Sequence, residues 1–520
     1  MGLANYFSKN LLALNRLINT DLSILEDTLE NYVVTIAFDK NCLETREGEV
    51  GIEMLVRLIA RLYPKIKIVD LSGTKNVKRK ELVDLSKKIN ANIEILENND
   101  EENIFIIAGH TSETIKTDGI KIYFGSENWV SKYSTTNIQS FGSSDNPFGS
   151  SIAACIVSSN VFRHTFNDYI HLNEFDEDFQ LSVFNLSTSI GRSDFNPEFS
   201  KIKLKDFTIV GLGAIGNGLV WVLSKINNLE GRLNLVDKEE IALSNVQRYV
   251  LTNQSSDNDV KVELAKLFLD QTNLQVNIFK NTWEEYLSKT NDWNIEHVAV
   301  AIDNIKDRIG VQSSLPKIIF NAFTESESTG ITRHLNFPVE ACLMCSNIPD
   351  TKKKNWINEV ADNCQIPLEF NMVKDYFNLN LPVGIPIPNS KKDSLLLTIA
   401  KANNIKIEEL DIYKDMTVEK FYSDFVCGGA ILQKSEFNDE ITNVDAPLAF
   451  QSAMAGIFLA SEMVKFSLGI ETTNPRTDFY HLSKISEAIN PFNRMIQKDD
   501  TGRCICNDPV FINRYNGKWS

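Results

Sequence analysis

The sequence lacks any run of about eighteen consecutive apolar residues, the length that a membrane-spanning helix needs. It also lacks an excess of positive charge, since 53 Lys and Arg stand against 69 Asp and Glu and the formal net charge is -16. Lys9, Arg16 and Asp21 interrupt any apolar segment near the first residue, so no secretory signal peptide is expected. We therefore expect a cytoplasmic protein with neither a membrane nor a nucleic-acid partner.

Histidine is scarce as well, and the 6 histidines show no spacing typical of a metal site or a catalytic triad. The 8 cysteines, in a cytoplasmic chain, are better explained as metal ligands, catalytic thiols or buried residues than as disulfides. The 520 residues are enough for two or three domains, each with a core of its own.

What the sequence does contain is a glycine-rich turn between two predicted strands. Gly211, Gly213 and Gly216 follow a β-branched run at the spacing G-x-G-x-x-G, and a helical apolar pattern comes next. The backbone amides of such a turn and the partial positive charge of the helix N-terminus can bind a phosphate. A second predicted strand ends at Asp237, in the place for a ribose hydroxyl. This predicts a nucleotide-binding βαβ unit, which oxidoreductases, methyltransferases and adenylating enzymes all use.

The polar residues that follow discriminate between these classes. The segment S-N-V-Q-R contains Asn245 and Arg248, Lys261 lies thirteen residues further on, and a predicted strand closes on Asp303, with Arg308 five residues later. A hydride-transfer enzyme has no use for this set. In this pattern the sequence resembles the adenylation domain of the ThiF/MoeB/ubiquitin-activating superfamily.

The resemblance implies a role for each matched residue. Asp237 would hold the ATP ribose, Asn245, Arg248 and Lys261 would contact the phosphates, and Asp303 would position Mg²⁺. The chemistry agrees, because a carboxylate that attacks an α-phosphate is an anion approaching an anion, and the site must supply cations. Taken alone, Arg248 or Lys261 is better explained as a solvated surface cation; the complete set at these spacings favours the site.

The N-terminal third of the chain predicts the same alternation of strands and helices. These predicted elements lie at 32–38, 51–62, 66–71, 79–89 and 104–108. The segment N-P-F-G before a helix at 150–162 also resembles A-P-L-A before a helix at 452–464. Residues 39–42 replace the glycines, however, and Gly109-His110 stand where the metal-binding aspartate is expected. We expect a degenerate, inactive adenylation-like domain; the alternative is an unrelated α/β domain.

An inactive and an active copy in one chain is the arrangement of two-domain ubiquitin-activating enzymes, whereas ThiF and MoeB pair identical chains. The resemblance therefore implies a pseudo-dimer within this chain, and a homodimer is left open. In the family the partner copy lends an arginine to the ATP site. Arg16 matches that arginine in position alone, and a surface arginine explains it equally well.

Two cysteine pairs predict a structural Zn²⁺ site. Cys342 and Cys345 form C-x-x-C after a predicted strand, and Cys504 and Cys506 form C-x-C near the C-terminus, where the family usually has a second C-x-x-C. Four thiolates would make a closed tetrahedral site that ties the C-terminal tail to the domain. The alternative is four unligated, packed thiols.

Two further cysteines compete for a thioester role, which the resemblance places in or after an insertion into the nucleotide fold. Cys427 lies in D-F-V-C-G-G-A, where two glycines would let the loop move. Cys364 follows Asp362, whose charge would raise the pKa of the thiol. We favour Cys427; for both, a buried structural thiol is the alternative.

Together these observations predict an α/β protein: a Rossmann-like doubly wound adenylation domain with a helical catalytic-cysteine insertion and a second, degenerate adenylation-like domain. The predicted divisions are 1–190, 191–345, 346–430 and 431–520, in the order degenerate domain, first part of the active domain, insertion, and last part with the zinc-binding tail.

The resemblance implies ATP-dependent activation of a ubiquitin-like protein, thioester formation on Cys427 and transfer to a conjugating enzyme. The asparagine- and isoleucine-rich composition suggests a bacterial chain and hence a prokaryotic pathway of this kind. The rivals are a sulfur-carrier activator, a non-catalytic binding scaffold and an NAD-dependent oxidoreductase.

Overall fold

The computed structural model describes twelve segments of the chain and the isolated residues 397 and 401. The segments are 22–74, 76–97, 102–169, 175–188, 196–199, 201–291, 293–325, 328–348, 447–470, 476–480, 493–500 and 502–520. Nearly all of these residues belong to one structural unit, which contains two β-sheets. Arg16, Cys364, Cys427 and most of the predicted insertion at 346–430 lie outside the described residues.

The first sheet has seven strands in the order β3-β2-β1-β4-β5-β6-β7. Strands β1 to β5 pair in parallel, whereas β6 and β7 are antiparallel. Its elements are α1 (Leu22–Glu30), β1 (Val33–Phe38), α2 (Arg46–Ile59), β2 (Lys65–Asp70), α3 (Asn76–Ile89), β3 (Glu94–Ile95), β4 (Ile104–Ala108), β5 (Ile120–Glu127), β6 (Val130–Ser134), α4 (Phe148–Thr165) and β7 (Phe179–Ser182). Every residue of β1 and of β4 is buried, as expected for central strands of a parallel sheet.

The second sheet has eight strands in the order β10-β9-β8-β11-β12-β13-β14-β15. Strands β8 to β12 pair in parallel and the last three are antiparallel. Its strands are β8 (Phe207–Val210), β9 (Glu230–Val236), β10 (Asn273–Phe279), β11 (His297–Val300), β12 (Ile318–Thr324), β13 (Ser328–His334), β14 (Arg476–Tyr480) and β15 (Asn493–Arg494). Its helices are α5 (Ala214–Ser224), α6 (Lys261–Leu269), α7 (Trp283–Thr290), α8 (Ile305–Ser313), α9 (Ala449–Ser467) and α10 (Pro509–Trp519). The first seven strands repeat the order of the first sheet, and the predicted α/β class is confirmed.

Helix α9 joins the two sheets, because it packs against α5 on one side and α4 on the other. Glycine permits the first contact: a Cβ placed on Gly456 would lie 2.2 Å from the carbonyl oxygen of Ile215, and one on Gly218 would lie 2.9 Å from Ala453. On the other side, the rings of Phe162 and Phe450 lie 5.8 Å apart. In the described part of the chain, no helix has both the length and the apolarity to cross a membrane.

Candidate nucleotide site and cysteine cluster

The turn after β8 can be built only from glycine at two places. Gly211 has a φ of +91°, and a Cβ there would lie 2.6 Å from the carbonyl oxygen of Ala301. A Cβ on Gly216 would lie 2.4 Å from the carbonyl oxygen of Gly211. Helix α5 then begins at Ala214 with Gly213 at its N-cap, and no side chain among the described residues caps it, so the amides of its first turn can bind an anion.

Asp237 follows β9 and is tied to this turn by the backbone. Its Oδ2 accepts a hydrogen bond from the Leu212 amide at 2.7 Å, and its Oδ1 accepts one from the Glu239 amide at 2.8 Å. Burial raises the pKa of the Asp237 carboxyl, against the opposing attraction of Lys261 and the two amides. The predicted ribose acid therefore lies beside the glycine turn.

Lys261, the first residue of α6, is only 5% exposed, and its charge acts on the nearby Asp237 carboxyl. Its Nζ donates to Glu239 Oε2 at 2.6 Å and to the Tyr249 hydroxyl at 3.1 Å. Burial alone would lower the pKa of Lys261, but Tyr249, Asp237 and Glu239 raise it above its ordinary value. The lysine is thus a fixed cation. The Tyr249 hydroxyl in turn lies beside the glycine turn, because a Cβ placed on Gly213 would be 3.5 Å from it.

The loop between β9 and α6 carries the other two predicted phosphate contacts. Asn245 Oδ1 accepts a hydrogen bond from the Ala242 amide at 3.0 Å, which closes the short 3-10 turn Leu243–Asn245. The guanidinium carbon of Arg248 lies 6.0 Å from the centre of the Tyr249 ring. Arg248 forms no ion pair with another described residue, so its charge is available to a ligand.

Asp303 lies three residues beyond β11, at the same edge of the sheet, and its side chain is exposed. Nearby, Arg308 Nε donates to the Ile302 carbonyl at 2.9 Å. Burial lowers the pKa of Arg308, although the charge of Asp303 opposes this shift. Asn304 caps α8 by accepting from the Lys306 amide at 2.7 Å. The glycine turn, Asp237 and Asp303 therefore follow the neighbouring strands β8, β9 and β11 at one edge of the sheet, the switch point at which α/β sheets bind ligands.

The first sheet has different residues at the equivalent positions. β1 and β8 take the same place in their sheets, so their last residues, Phe38 and Val210, can be matched. One residue further on, Asp39 stands where the second sheet has Gly211. β2 pairs with β1 in the same register as β9 pairs with β8, so Phe38 lies opposite Asp70 and Val210 lies opposite Val236. The residue in the place of the ribose acid is therefore Leu71.

The same comparison places Thr111, rather than the expected Gly109-His110, where the second sheet has Asp303. Ala108 pairs with Phe38 as Val300 pairs with Val210, and the two residues of interest lie three positions further on. The Thr111 hydroxyl donates to Asp39 Oδ2 at 2.8 Å, and Asp39 is 3% exposed. A buried carboxylate thus occupies the end of β1, where the second sheet has its glycine turn.

The four predicted zinc ligands form one cluster. The Sγ atoms lie 3.3 Å apart for Cys342 and Cys504, 3.4 Å for Cys345 and Cys506, and 3.5 Å for Cys345 and Cys504, and all four lie within 4.8 Å of one another. A tetrahedral Zn²⁺ with Zn–S bonds of about 2.3 Å needs sulfurs about 3.8 Å apart. The Asp499 amide also lies 3.5 Å from Cys345 Sγ, as a donor to a thiolate would. The cluster therefore fits such an ion.

Cys42 and Cys155, in the first sheet's half, are unlike these four. They are 1% and 0% exposed, and burial raises the pKa of each thiol. Neither can supply the exposed thiolate that a nucleophile requires.

Two residues of the site are absent from the sequence-based set. Glu239 and Tyr249 both bind Lys261, yet neither belongs to a motif with a known spacing. The available signal is their place in the chain, because each lies within two residues of Asp237 or Arg248.

Comparison with known proteins shows the family of the chain. Residues 187–506 match the model of the ThiF family, and residues 37–167 match the model described as Prokaryotic E2 family C. "Uncharacterized protein y4jF" of Sinorhizobium fredii is 34% identical over 528 residues, which cover 100% of this chain and 98% of that protein. "Molybdopterin-synthase adenylyltransferase" of Haemophilus influenzae is 36% identical over 95 residues, or 18% of this chain and 38% of that protein.

Among solved structures, E. coli MccB with ATP matches with a TM-score of 0.32 and 15% identity, over 57% of this chain and 64% of that one. E. coli MccB with MccA-N7isoASN matches with a TM-score of 0.34 and 14% identity, over 58% and 67%.

Proposed function

Because this chain belongs to the ThiF family, we propose that it uses ATP to adenylate the C-terminal carboxylate of a ubiquitin-like protein. The observation that carries the proposal is the gathering of the glycine turn, Asp237, Lys261 and Asp303 at one edge of the second sheet. The turn offers amides to phosphate, Asp237 offers a carboxylate to the ribose, and Lys261 supplies a fixed positive charge.

The proposed first step joins two anions. A carboxylate oxygen of the partner forms a bond to the α-phosphorus of ATP, the bond from that phosphorus to the bridging oxygen breaks, and pyrophosphate leaves with the electron pair. Lys261 and Arg248 would offset the negative charge that builds up on the phosphate oxygens. Asp303 would hold Mg²⁺, which supplies further positive charge to the phosphates when bound.

In the proposed second step, the Cys427 thiolate attacks the acyl carbon, the carbon–oxygen bond to AMP breaks, and a thioester forms. Of the 8 cysteines, four lie in the zinc-type cluster and two are buried in the core. Cys427 and Cys364 are the two that remain, and both lie outside the described residues. A conjugating enzyme would then accept the acyl group.

We propose that the N-terminal domain, the degenerate copy, binds no nucleotide. The Asp39 carboxylate would repel a phosphate at the end of β1, and Leu71 cannot accept a hydrogen bond from a ribose. One chain would thus hold one ATP site in an internal pseudo-dimer. Its two cysteines are buried, so we assign no thioester to residues 37–167 and keep the conjugating enzyme as a separate partner. The contribution of Arg16 and the cytoplasmic location stay predictions.

A sulfur-carrier activator is the second candidate function. The 36% identity over 95 residues to the Haemophilus influenzae adenylyltransferase favours it. In that case the acyl-adenylate would accept sulfur from a persulfide rather than pass to an enzyme thiol. Parallel reactions with a persulfide donor and with a conjugating enzyme would separate the two functions.

Mass spectrometry of the full chain with ATP and candidate ubiquitin-like proteins tests the proposal. We expect a thioester in the wild type, and in Cys427→Ala loss of the thioester with adenylate formation retained. If Cys364→Ala gives that result instead, the cysteine assignment is wrong. If Asp303→Asn forms as much acyl-adenylate as the wild type, the proposed metal-binding role of Asp303 is wrong.

A further inference from the structure

The phosphate-contact loop, residues 245–252, has no regular secondary structure beyond its first residue. Val246, Tyr249 and Thr252 are buried, at 0%, 4% and 0% exposed. A buried carbonyl in such a loop needs a donor, because helix and sheet bonds are missing. The Tyr249 carbonyl accepts hydrogen bonds within the loop from the Thr252 amide at 3.0 Å and the Thr252 hydroxyl at 2.8 Å. The N-terminal domain supplies a donor to all three carbonyls.

Arg61, which lies two residues after the end of α2, supplies these donors. Its side chain is 0% exposed. Its Nε donates to the Val246 carbonyl at 2.9 Å, and its Nη2 donates to the Tyr249 carbonyl at 2.7 Å and the Thr252 carbonyl at 2.6 Å. Arg57, one helical turn earlier, donates from Nη1 to the Val250 carbonyl at 2.8 Å. Arg57 in α2 and Arg61 just beyond it therefore bind four of the loop's carbonyls.

This loop carries side chains of the nucleotide site. Arg248 lies between two of the anchored carbonyls, and the Tyr249 hydroxyl accepts a hydrogen bond from Lys261. A shift of the loop would therefore displace the Arg248 guanidinium and release Lys261 from one of its partners.

We infer that Arg61 is a positioning residue for ATP binding: the N-terminal domain fixes the phosphate-contact loop of the other domain. This inference rests on the proposed function, because it assumes that ATP binds beside Lys261. It gives the inactive copy a role in the reaction that does not require a nucleotide site of its own. Lysine cannot take this role, because its single ammonium cannot spread donors over three carbonyls as a planar guanidinium does.

The test is the affinity of the full chain for ATP with Mg²⁺, measured by isothermal titration calorimetry at a temperature well below the unfolding midpoint of each variant. We expect Arg61→Lys to weaken ATP binding by about ten- to a hundredfold, the cost typical of a small misplacement of binding groups. The matched control is Arg163→Lys, since Arg163 is also 0% exposed in the N-terminal domain but pairs with Asp176 at 2.5 Å. It should lower the unfolding midpoint and leave the ATP affinity unchanged.

A double-mutant cycle on the ATP affinity distinguishes an effect that acts through the loop from general destabilisation. Tyr249→Phe removes the hydroxyl that Lys261 contacts. If Arg61 acts through the loop, the losses in Arg61→Lys and Tyr249→Phe should not add, whereas those in Arg163→Lys and Tyr249→Phe should. Additive losses in both cycles would overturn the inference.

The outcomes also separate this inference from the proposed function. If the wild type does not bind ATP, the proposed function fails. If the wild type binds ATP and Arg61→Lys binds it equally well, the inference alone is overturned. If Arg61→Lys does not fold, Arg57→Lys, which alters the bond to the Val250 carbonyl and the ion pair with Glu53, decides: weaker ATP binding supports the anchor, and unchanged binding refutes it.

Discussion

At the scale of single residues, Lys261 should matter most for adenylation. Although burial raises the pKa of the Asp237 carboxyl above its ordinary value, the charge of the buried Lys261 ammonium lowers that pKa. We expect Lys261→Ala to raise the pKa of Asp237 further and to lower partner-dependent pyrophosphate exchange by about a hundred- to a thousandfold. Lys266→Ala is the control, because Lys266 lies on the same helix, but its side chain is 40% exposed and paired with Asp270. Equal losses in the two variants would argue against a specific role.

Sequence reasoning found Asp237 and Lys261 because their distances from the glycine turn are short and fixed along the chain. It could not find Arg61, whose partner Val246 lies 185 residues away. Arg61 binds backbone carbonyls, and a carbonyl leaves no side-chain pattern in the sequence. The only local signal is a pair of arginines four residues apart, Arg57 within α2 and Arg61 two residues after its end.

At the scale of elements, the turn between β8 and α5 gives a matched pair of glycine variants. In Gly211→Ala the new Cβ meets the Ala301 carbonyl at 2.6 Å and the residue must keep a φ of +91°. We expect a loss of about 1–3 kcal/mol in the free energy of unfolding, the usual cost of such strain, together with loss of ATP binding.

Gly213→Ala is the partner variant. Gly213 has a φ of -68°, and the nearest atom to its Cβ is the Tyr249 hydroxyl at 3.5 Å. It should unfold like the wild type in chemical denaturation and differ only in ATP affinity, because the added methyl group faces the phosphate position. An unchanged free energy of unfolding for Gly211→Ala would contradict the close approach of the new Cβ to the Ala301 carbonyl oxygen.

The central strands β1, β4, β8 and β11 were predictable because each is a short, continuous apolar run, as strands buried on both faces are. The strands at the far side of each sheet were not predicted. β5 mixes exposed and buried residues, and β6 reads V-S-K-Y-S, so neither has a strong apolar signal. Their place depends on sheet neighbours that are known only after folding.

At the scale of the whole molecule, the four-cysteine cluster joins segments about 160 residues apart, and the C-terminal helix α10 packs beside it. The Tyr515 hydroxyl donates to the Lys317 carbonyl and Trp519 Nε1 donates to the Leu315 carbonyl, each at 3.0 Å. We expect one Zn²⁺ per purified chain by elemental analysis. Cys345→Ser should lose the metal and lower the unfolding midpoint. Cys155→Ser, a buried thiol outside the cluster, should keep it; a wild-type chain free of metal would refute the site.

The contact between the two sheets' halves should also respond to acid, through Glu53 on α2. Its carboxylate binds Arg57 at 3.0 Å and Lys225, at the end of α5, at 2.7 Å. Burial would raise the pKa of Glu53, but these two cations lower it from 4.5 to about 2. A carboxyl with a lowered pKa in the folded state stabilises the protein above its unfolded pKa, and this contribution is lost as the pH falls from about 4.5 towards 2.

Glu53→Gln should therefore lower the free energy of unfolding at pH 7 and make it depend less steeply on pH below 4.5. Glu49→Gln, at a neighbouring and more exposed glutamate 3.7 Å from Arg46, should keep the wild-type slope. Chemical denaturation between pH 7 and pH 3 measures both, and identical slopes for Glu53→Gln and the wild type would refute the role of Glu53. Because Arg57 also holds the Val250 carbonyl, Glu53→Gln should weaken ATP binding at neutral pH as well, which links the acid response of the contact to the phosphate-contact loop.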